Sequence, residues 1–372
     1  MMKKFSAPVL FLLLGLSPAA AETAWRIDFP FRHLRKPLAS HTSTSELVQM
    51  PEKGRHGVKL TAEERGRGPG GDPPAFAASG KPGVRSGESL VAHCLPRSVS
   101  IEIAGHDSEG GWVSHGAGSI LHESGYILTC EHITAAGDRN HVILSDGASF
   151  PYRVVWRAGG TYDMAVLKIE GREPLPEVAL GHSDAVSAGE RVMIVGNPGG
   201  RRHSRLFGEV EQTSCGGGTQ IHVGKARVMP GYSGGPVFNM RGELVAQVHV
   251  SIRTMEMASR HIRVDHLRTA FADMIRTAGT QGFEVGLTVD CQADEAAVAA
   301  VAPGSPAARA GIRPRDVLTR VGAMRLRHGP HYAVALCEIQ SADPVGFAFR
   351  RGDKEMSATV IPVSRKPPPH RP

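Results

Sequence analysis

A mainly β chain with two folded units is predicted, on three observations. Short β-type runs recur from Val99 onward, namely 99–103, 126–129, 141–145, 152–156, 164–169, 191–195, 209–213 and 244–249, each closed by turn residues. Glycine (44) and proline (26) make up roughly 19% of the 372 residues, which favours short strands and loops over long helices. From Phe283 to about Val363 the pattern changes to strands mixed with two short helices, the length of one small domain.

The chain opens on an address. Lys3 and Lys4 precede the apolar run from Pro8 to Leu16, and Ser17 to Ala21 supply the small residues a signal peptidase reads, so cleavage is expected after Ala21. The run is too short to span a bilayer, and no longer apolar stretch follows. A periplasmic or secreted protein without a stable membrane span is the expectation. Residues 22–90 are broken by Pro, Gly and charge, as between Gly66 and Pro74, and read as a low-complexity arm or linker. Within it, Trp25, Ile27, Phe29 and Phe31 alternate as one extended segment would.

The first folded unit is placed at 91–280. Its β runs suit a barrel or sandwich, and Val264, Leu267, Phe271 and Met274 share one face of a closing helix. The second unit is placed at 281–363. There Ser305 is a helix cap, Pro306 suits the first helical position, and Gly311 can end the helix with positive φ. The proline-rich tail, 364–372, reads as disordered.

Charge and cysteine narrow the classes. The net charge of +7 invites a nucleic-acid reading, but 36 acidic residues offset 43 basic ones and no nucleic-acid-binding motif accompanies them. Five cysteines, without a CxxC pair, signal neither a disulfide framework nor a zinc site. The 18 histidines show no HExxH spacing, and the glycine runs at 199–200 and 216–218 lack the Lys-Ser/Thr ending of a phosphate loop, so no metal and no cofactor is expected.

Three segments carry chemistry, in the order His, Asp, Ser. His132 follows the apolar strand that starts at Gly125, Asp163 opens the strand of Met164 to Ile169, and Ser233 lies in the glycine-rich turn Pro230 to Pro236. A serine hydroxyl is a weak nucleophile until an imidazole takes its proton, and a buried carboxylate must hold that imidazole in one tautomer. A tight turn can also aim the N–H groups of Gly231 and Ser233 at the oxygen of an attacked carbonyl, an oxyanion hole. Side chains at Gly231 or Gly234 would crowd that turn.

GYILTCEHIT, YDMAVLKIE and PGYSGGPVFN resemble the three catalytic segments of HtrA/DegP-family trypsin-like serine proteases. Gly116 to Ile120, Gly196 to Gly200 and Arg241 to Val245 match in register, and the resemblance covers roughly residues 98 to 363. It implies a trypsin-like double β-barrel protease domain followed by a small α+β PDZ domain. It also implies an exported serine endopeptidase of protein quality control, acting on unfolded or damaged polypeptide, and a homo-oligomer, a trimer or a multiple of one. Glu284, Val285, Gly286 and Leu287 resemble the loop that holds a peptide's C-terminal carboxylate, and residues 303–308 resemble the segment behind it.

The chain departs from the family pattern at Cys130, Glu131 and Tyr232, and in the loop from Met255 to Ile262 that shapes the specificity pocket. Arg227, six residues before Ser233, stands where trypsin-like folds line their primary pocket and would recruit an acidic side chain. The competing class is a protease-fold chaperone or scaffold that binds unfolded peptides with little or no proteolysis.

Overall fold

Alternation along the strands sorts their side chains into three cores. The computed structural model describes residues 83–107, 110–134, 137–249, 259–278 and 282–364. The expected signal peptide, residues 22–82 of the expected arm with Trp25 to Phe31, residues 365–372 and the first half of the Met255 to Ile262 loop, residues 255–258, lie outside them.

Strands β1 (Ser98–Asp107), β2 (Gly110–His122), β3 (Tyr126–Thr129), β4 (Arg139–Ile143), β5 (Ser149–Ala158) and β6 (Met164–Ile169) close a barrel in the order β1-β2-β3-β6-β5-β4. After β7 (Ala179–Leu180) come β8 (Arg191–Gly196), β9 (Ser204–Cys215), β10 (Gln220–Gly224), β11 (Pro236–Asn239), β12 (Glu243–Val248) and β13 (Ser259–Arg263). They run in the order β11-β8-β9-β10-β13-β12, and pairing of β11 with β12 closes a second barrel to which β7 adds in parallel. Helix α1 (Gly87–Cys94) precedes the barrels and α2 (Val264–Ala278) follows them.

Successive strand residues face opposite sides of a sheet. Thus Ile127 and Ala165, Leu167 and Ile169 fill the first barrel, while Tyr126, Leu128, Met164 and Val166 on the same strands face outward into a second apolar cluster. Val192, Ile194 and Val237 fill the second barrel, and their neighbours Met193, Val195 and Phe238 face the same outer cluster. That central cluster also takes Leu90 and Cys94 of α1 and Val264, Leu267, Phe271 and Met274 of α2, the face expected from the sequence. The folded part therefore begins ahead of the boundary placed after Leu90: Ser86 caps α1 by accepting from the Ser89 N–H, and Leu90 is fully buried.

The C-terminal unit holds β14 (Phe283–Glu284), β15 (Leu287–Val289), β16 (Val298–Val301), β17 (Val317–Val321), β18 (Met324–Arg325), β19 (Val345–Arg351), β20 (Lys354–Val360) and β21 (Val363–Ser364). Its helices are α3 (Pro306–Arg309) and α4 (Gly329–Leu336). Ser305 caps α3 through the Ala308 N–H, and Gly311 has φ +80°, both as the sequence indicates. Ser364, assigned to the tail, pairs with Phe283 and draws the two ends of the unit together.

This unit shares the central cluster with the barrels. Tyr332 and Val334 of α4 are fully buried in it, and α4 packs along α2. Arg268 of α2, 1% exposed, donates to the carbonyls of Cys291 and Ala293 on one side and of Leu180 and Gly181 on the other. Beside it lies a set of histidines. His122 Nε2 meets the Arg325 carbonyl at 2.8 Å, and His331 Nε2 meets the Leu121 carbonyl at 2.9 Å. The His331 ring centroid lies 4.6 Å from that of His122 and 3.8 Å from that of His328.

Burial pushes the His328 imidazole down to about 3 and that of His331 well below the ordinary histidine value, with neighbouring histidines and Arg327 adding to the shift. An unfolded chain takes protons on these rings below about pH 6.5, and the folded protein resists until far lower pH. Their contribution to stability is therefore fully present above about pH 6.5 and declines as pH falls toward 3. The urea midpoint is expected to drop between pH 7.5 and pH 4.5, and the drop should be smaller when His328 and His331 are both replaced by Gln. An equal drop in both proteins would contradict this account.

Candidate active site

His132 and Asp163 meet because their strands pair. Thr129 at the end of β3 lies opposite Ala165 near the start of β6, so the segment leaving one strand runs beside the segment entering the other. His132 Nδ1 stands 2.6 Å from Asp163 Oδ2, and the His132 backbone N–H donates to Oδ1 at 3.0 Å. Asp163 has φ +39°, a left-handed conformation that costs a non-glycine residue about 1–3 kcal/mol and persists where its surroundings over-determine it. Burial acts to raise its carboxyl, but the hydrogen bonds and charge from His132, with a further contribution from His249, outweigh it and hold the group below the ordinary aspartate value. The site therefore keeps a buried carboxylate charged against an imidazole Nδ1, the arrangement that leaves Nε2 to accept a proton.

Ser233, 5% exposed, is held by a turn pinned to three strands' neighbourhoods. The Ala117 N–H of β2 donates to the Ser233 carbonyl at 2.9 Å, the Asn197 N–H after β8 to the Gly231 carbonyl at 2.8 Å, and the Gly234 N–H to the Val248 carbonyl of β12 at 2.9 Å. A Cβ on Gly234, which has φ +80°, would lie 2.2 Å from Thr129 Oγ1 and 2.8 Å from the Cys130 nitrogen. Only a glycine lets the serine turn lie directly on the segment that carries His132. The Tyr232 N–H is used within the turn, on the Met229 carbonyl. Among the described residues, the N–H groups of Gly231 and Ser233 have no backbone acceptor, as an oxyanion hole requires.

The departures noted in the sequence acquire causes. Tyr232 is fully buried in the second barrel, its ring against Gly196, where a Cβ would lie 2.2 Å from the ring. Cys130 is likewise fully buried, with its thiol within 3.3 Å of both the Val248 carbonyl and the Gln247 amide, and burial pushes it well above the ordinary thiol range. A sulfur so placed is a packing group rather than a redox sensor. Arg227 lies half-buried between β10 and β11, whereas nearby Lys225 is exposed and turned to Glu209 at 2.6 Å.

In the C-terminal unit, Glu284 pairs with Val363, and Gly286 has φ +79° with no room for a Cβ against Ser305. Ser305 Oγ donates to the Gly286 carbonyl at 3.2 Å, and the Ala307 N–H donates to the Val285 carbonyl at 3.0 Å. Leu287 then enters β15, which pairs with β16 alone among the described residues. Glu284, Val285, Gly286 and Leu287 thus form one loop beside an open strand edge.

Sequence reasoning missed two residues beside Asp163. Gln247 Nε2 lies 3.4 Å from the Asp163 carbonyl, and His249 Nε2 lies 3.3 Å from Asp163 Oδ2. Neither belongs to a recognisable motif. Among the described residues, two groups bring metal-type ligand atoms within 4.8 Å, Cys130 with His132 and Asp163, and His122 with Glu177 and His331. In the first the thiol is held protonated by burial, and in the second the ring nitrogens face backbone groups and the Ser124 hydroxyl. A cleft of about 510 Å³ by His182, Asp184, Arg263 and Asp265 lies against the second barrel and α2, with Gln292 of the C-terminal unit at its edge, but its charges pair with one another.

Gly231 has φ +103°, and a Cβ there would lie 2.4 Å from the Asn197 carbonyl oxygen. Gly231→Ala is expected to lower the rate of serine acylation by roughly 100-fold or more, the scale of losing one oxyanion donor, with the fold retained by circular dichroism. An acylation rate within about three-fold of wild type would show that the turn tolerates the methyl group.

The trypsin-like peptidase domain family matches residues 116–246, a span that includes His132, Asp163 and Ser233, and the PDZ domain family matches residues 297–342. A putative serine protease, HhoB, of a Synechocystis species is 29% identical over 282 residues, 66% of this chain and 66% of its own length. A probable periplasmic serine endoprotease, DegP-like, of a Marinomonas species is 26% identical over 68% of this chain and 57% of its own length. The DegP-like protein of Chlamydia trachomatis is 29% identical over 55% of this chain and 44% of its own length, so the chain spans about half to two thirds of these relatives. Among solved structures, the HtrA-type protease AlgW with decapeptide is similar at a TM-score of 0.44 and 21% identity, over 75% of this chain and 98% of its own. A segment that matches the trypsin-like peptidase domain family is thus followed by one that matches the PDZ domain family, and the curated proteins similar to the chain in sequence are named as serine proteases, several of them DegP-like.

Proposed function

We propose that this chain is an exported serine endopeptidase that cleaves unfolded or damaged proteins, with Ser233 as nucleophile, His132 as general base and then acid, and Asp163 orienting the imidazole. The observation that carries the reading is the 2.6 Å contact between His132 Nδ1 and a buried Asp163 carboxylate, beside a glycine turn that presents Ser233. In the reaction, Ser233 Oγ bonds to the scissile carbonyl carbon as His132 takes the hydroxyl proton. The carbonyl oxygen, now negative, lies against the Gly231 and Ser233 N–H groups. His132 then gives its proton to the leaving amine as the C–N bond breaks, and water repeats the sequence on the acyl-enzyme.

The same reading assigns Glu284 to Leu287 to peptide C-termini: the open β15 edge can add a strand, and the amides around Gly286 can meet the terminal carboxylate. Arg227 belongs to it as the residue facing an acidic side chain before the scissile bond, and assembly into a trimer or larger homo-oligomer is part of it. Periplasmic placement is supported by relatives named as periplasmic, and no helix among the described residues is long and apolar enough to cross a membrane.

Casein-like unfolded substrate and the chain from residue 22 onward provide the test. Ser233→Ala should abolish hydrolysis, His132→Ala should lower it by about 10⁴-fold or more, and Asp163→Asn by about 10⁴-fold through the wrong imidazole tautomer. Hydrolysis that survives Ser233→Ala, or a wild-type protein that binds unfolded chains without cutting them, would overturn the reading.

A further inference from the structure

Asp163 Oδ2 faces two imidazoles. His132 Nδ1 reaches it at 2.6 Å and His249 Nε2 at 3.3 Å, while Oδ1 takes the His132 backbone N–H. The two rings stand edge to face, with centroids 5.9 Å apart and planes at 78°. His249 directly follows β12, whose Val248 carbonyl holds the Gly234 N–H of the serine turn. Its side chain is 32% exposed, against 11% for that of Asp163. One residue thus lies between the carboxylate and the anchor of the nucleophile turn.

We propose that His249 is a positioning residue of the hydrolytic site: from ion-pair distance its Nε2–H closes on Asp163 Oδ2 in the working site and so fixes the carboxylate that orients His132. The proposal rests on the reading of Ser233, His132 and Asp163 given above. Among the described residues, the titratable groups facing His249 are Asp163, His132 and, from β13, His261. His261 is fully buried and burial pushes it down to about 3, so it carries no charge near neutrality. Burial also lowers His249 itself, against the opposing pull of Asp163, which leaves its ring neutral and able to donate.

A carboxylate with a single side-chain donor can turn about its Cβ–Cγ bond and places its whole charge on that donor. A second donor on Oδ2 restrains the turn and divides the charge. Removing His249 therefore has two effects. Orientation of His132 loosens, which slows the reaction at every pH. The Asp163 charge also falls on His132 alone and favours its protonated, inactive form, so the acid limb of the rate profile moves to higher pH. Loss of any positive charge that His249 acquires in acid acts in the same direction.

The test uses a fluorophosphonate, which forms a bond from Ser233 Oγ to phosphorus as fluoride leaves and the serine proton passes to His132. Labelling rates are measured from pH 4.5 to 9 in wild type and in His249→Ala, His249→Phe and His249→Gln. His249→Ala and His249→Phe should be slower by roughly ten-fold at neutral pH, the scale of a hydrogen bond to a charged group, and their acid limbs should move up by about one pH unit. His249→Gln, which restores a donor near the same place, should return the limb toward wild type. An unmoved limb in His249→Ala, or His249→Gln no better than His249→Phe, overturns the assignment. Should wild type not label at all, or Ser233→Ala label equally, the serine-peptidase reading itself fails. Side-chain ¹⁵N NMR, which needs no turnover, should show the Nε2–H tautomer of His249 near neutral pH; an Nδ1–H tautomer overturns the proposal whatever the activity of the variants.

Discussion

The site depends on how closely the serine turn approaches the first barrel. At Gly234 the space for even a methyl group is taken by Thr129 Oγ1, the Ala117 carbonyl and the Cys130 nitrogen, and at Gly235 by the Val195 carbonyl. Backbone therefore lies on backbone, and the turn is tied there by the amides of Ala117, Asn197 and Gly234. Because these bonds reach β2, the end of β8 and β12, each barrel contributes to placing one hydroxyl. A side chain anywhere in this contact would separate the serine turn from the strand end that bears the imidazole.

The carboxylate poses the opposite difficulty, since it is a charge taken out of water. Desolvation of such a group costs several kcal/mol unless donors surround it. At Asp163 the donors come from His132, through ring and backbone, with His249 standing close to the same oxygen. The left-handed backbone of Asp163 is held by β6, which is buried along its whole length and paired on both sides. Strain is tolerated because the strand cannot shift to relieve it.

Most of this was legible where the chain repeats a period. β3 and β6 have the limits that the sequence indicates, and α2 the buried face, because periods of 2 and 3.6 are visible in one dimension. β2 was not read as a whole strand: Gly110, Gly111, Gly116 and Gly118 hide its alternation, although two of them are there for close approach to Ile133 and Leu128. β10, β11 and β13 are short and do not stand out in the sequence either. His132, Asp163 and Ser233 were singled out by the segments around them, whereas His249 has no local signature and its nearness to Asp163 arises only when β12 folds beside the first barrel. The histidines joining the C-terminal unit to the barrels lie about two hundred residues apart, beyond any local pattern.

The shared central cluster changes how the two units should be counted. Phe271 and Met274 see the same apolar interior as Tyr332 and Val334, and every residue of α4 from Gly329 to Ala335 is buried. Units linked only by a flexible tether have folding free energies that add; units that lend each other a wall do not. Here the wall is α2, which leaves β13 of the second barrel and lies against α4. A force or a ligand that displaces α4 therefore acts on a helix continuous with the barrel that carries the Ser233 turn. The linkage is mechanical, and the C-terminal unit is part of the barrels' frame rather than cargo carried beside it.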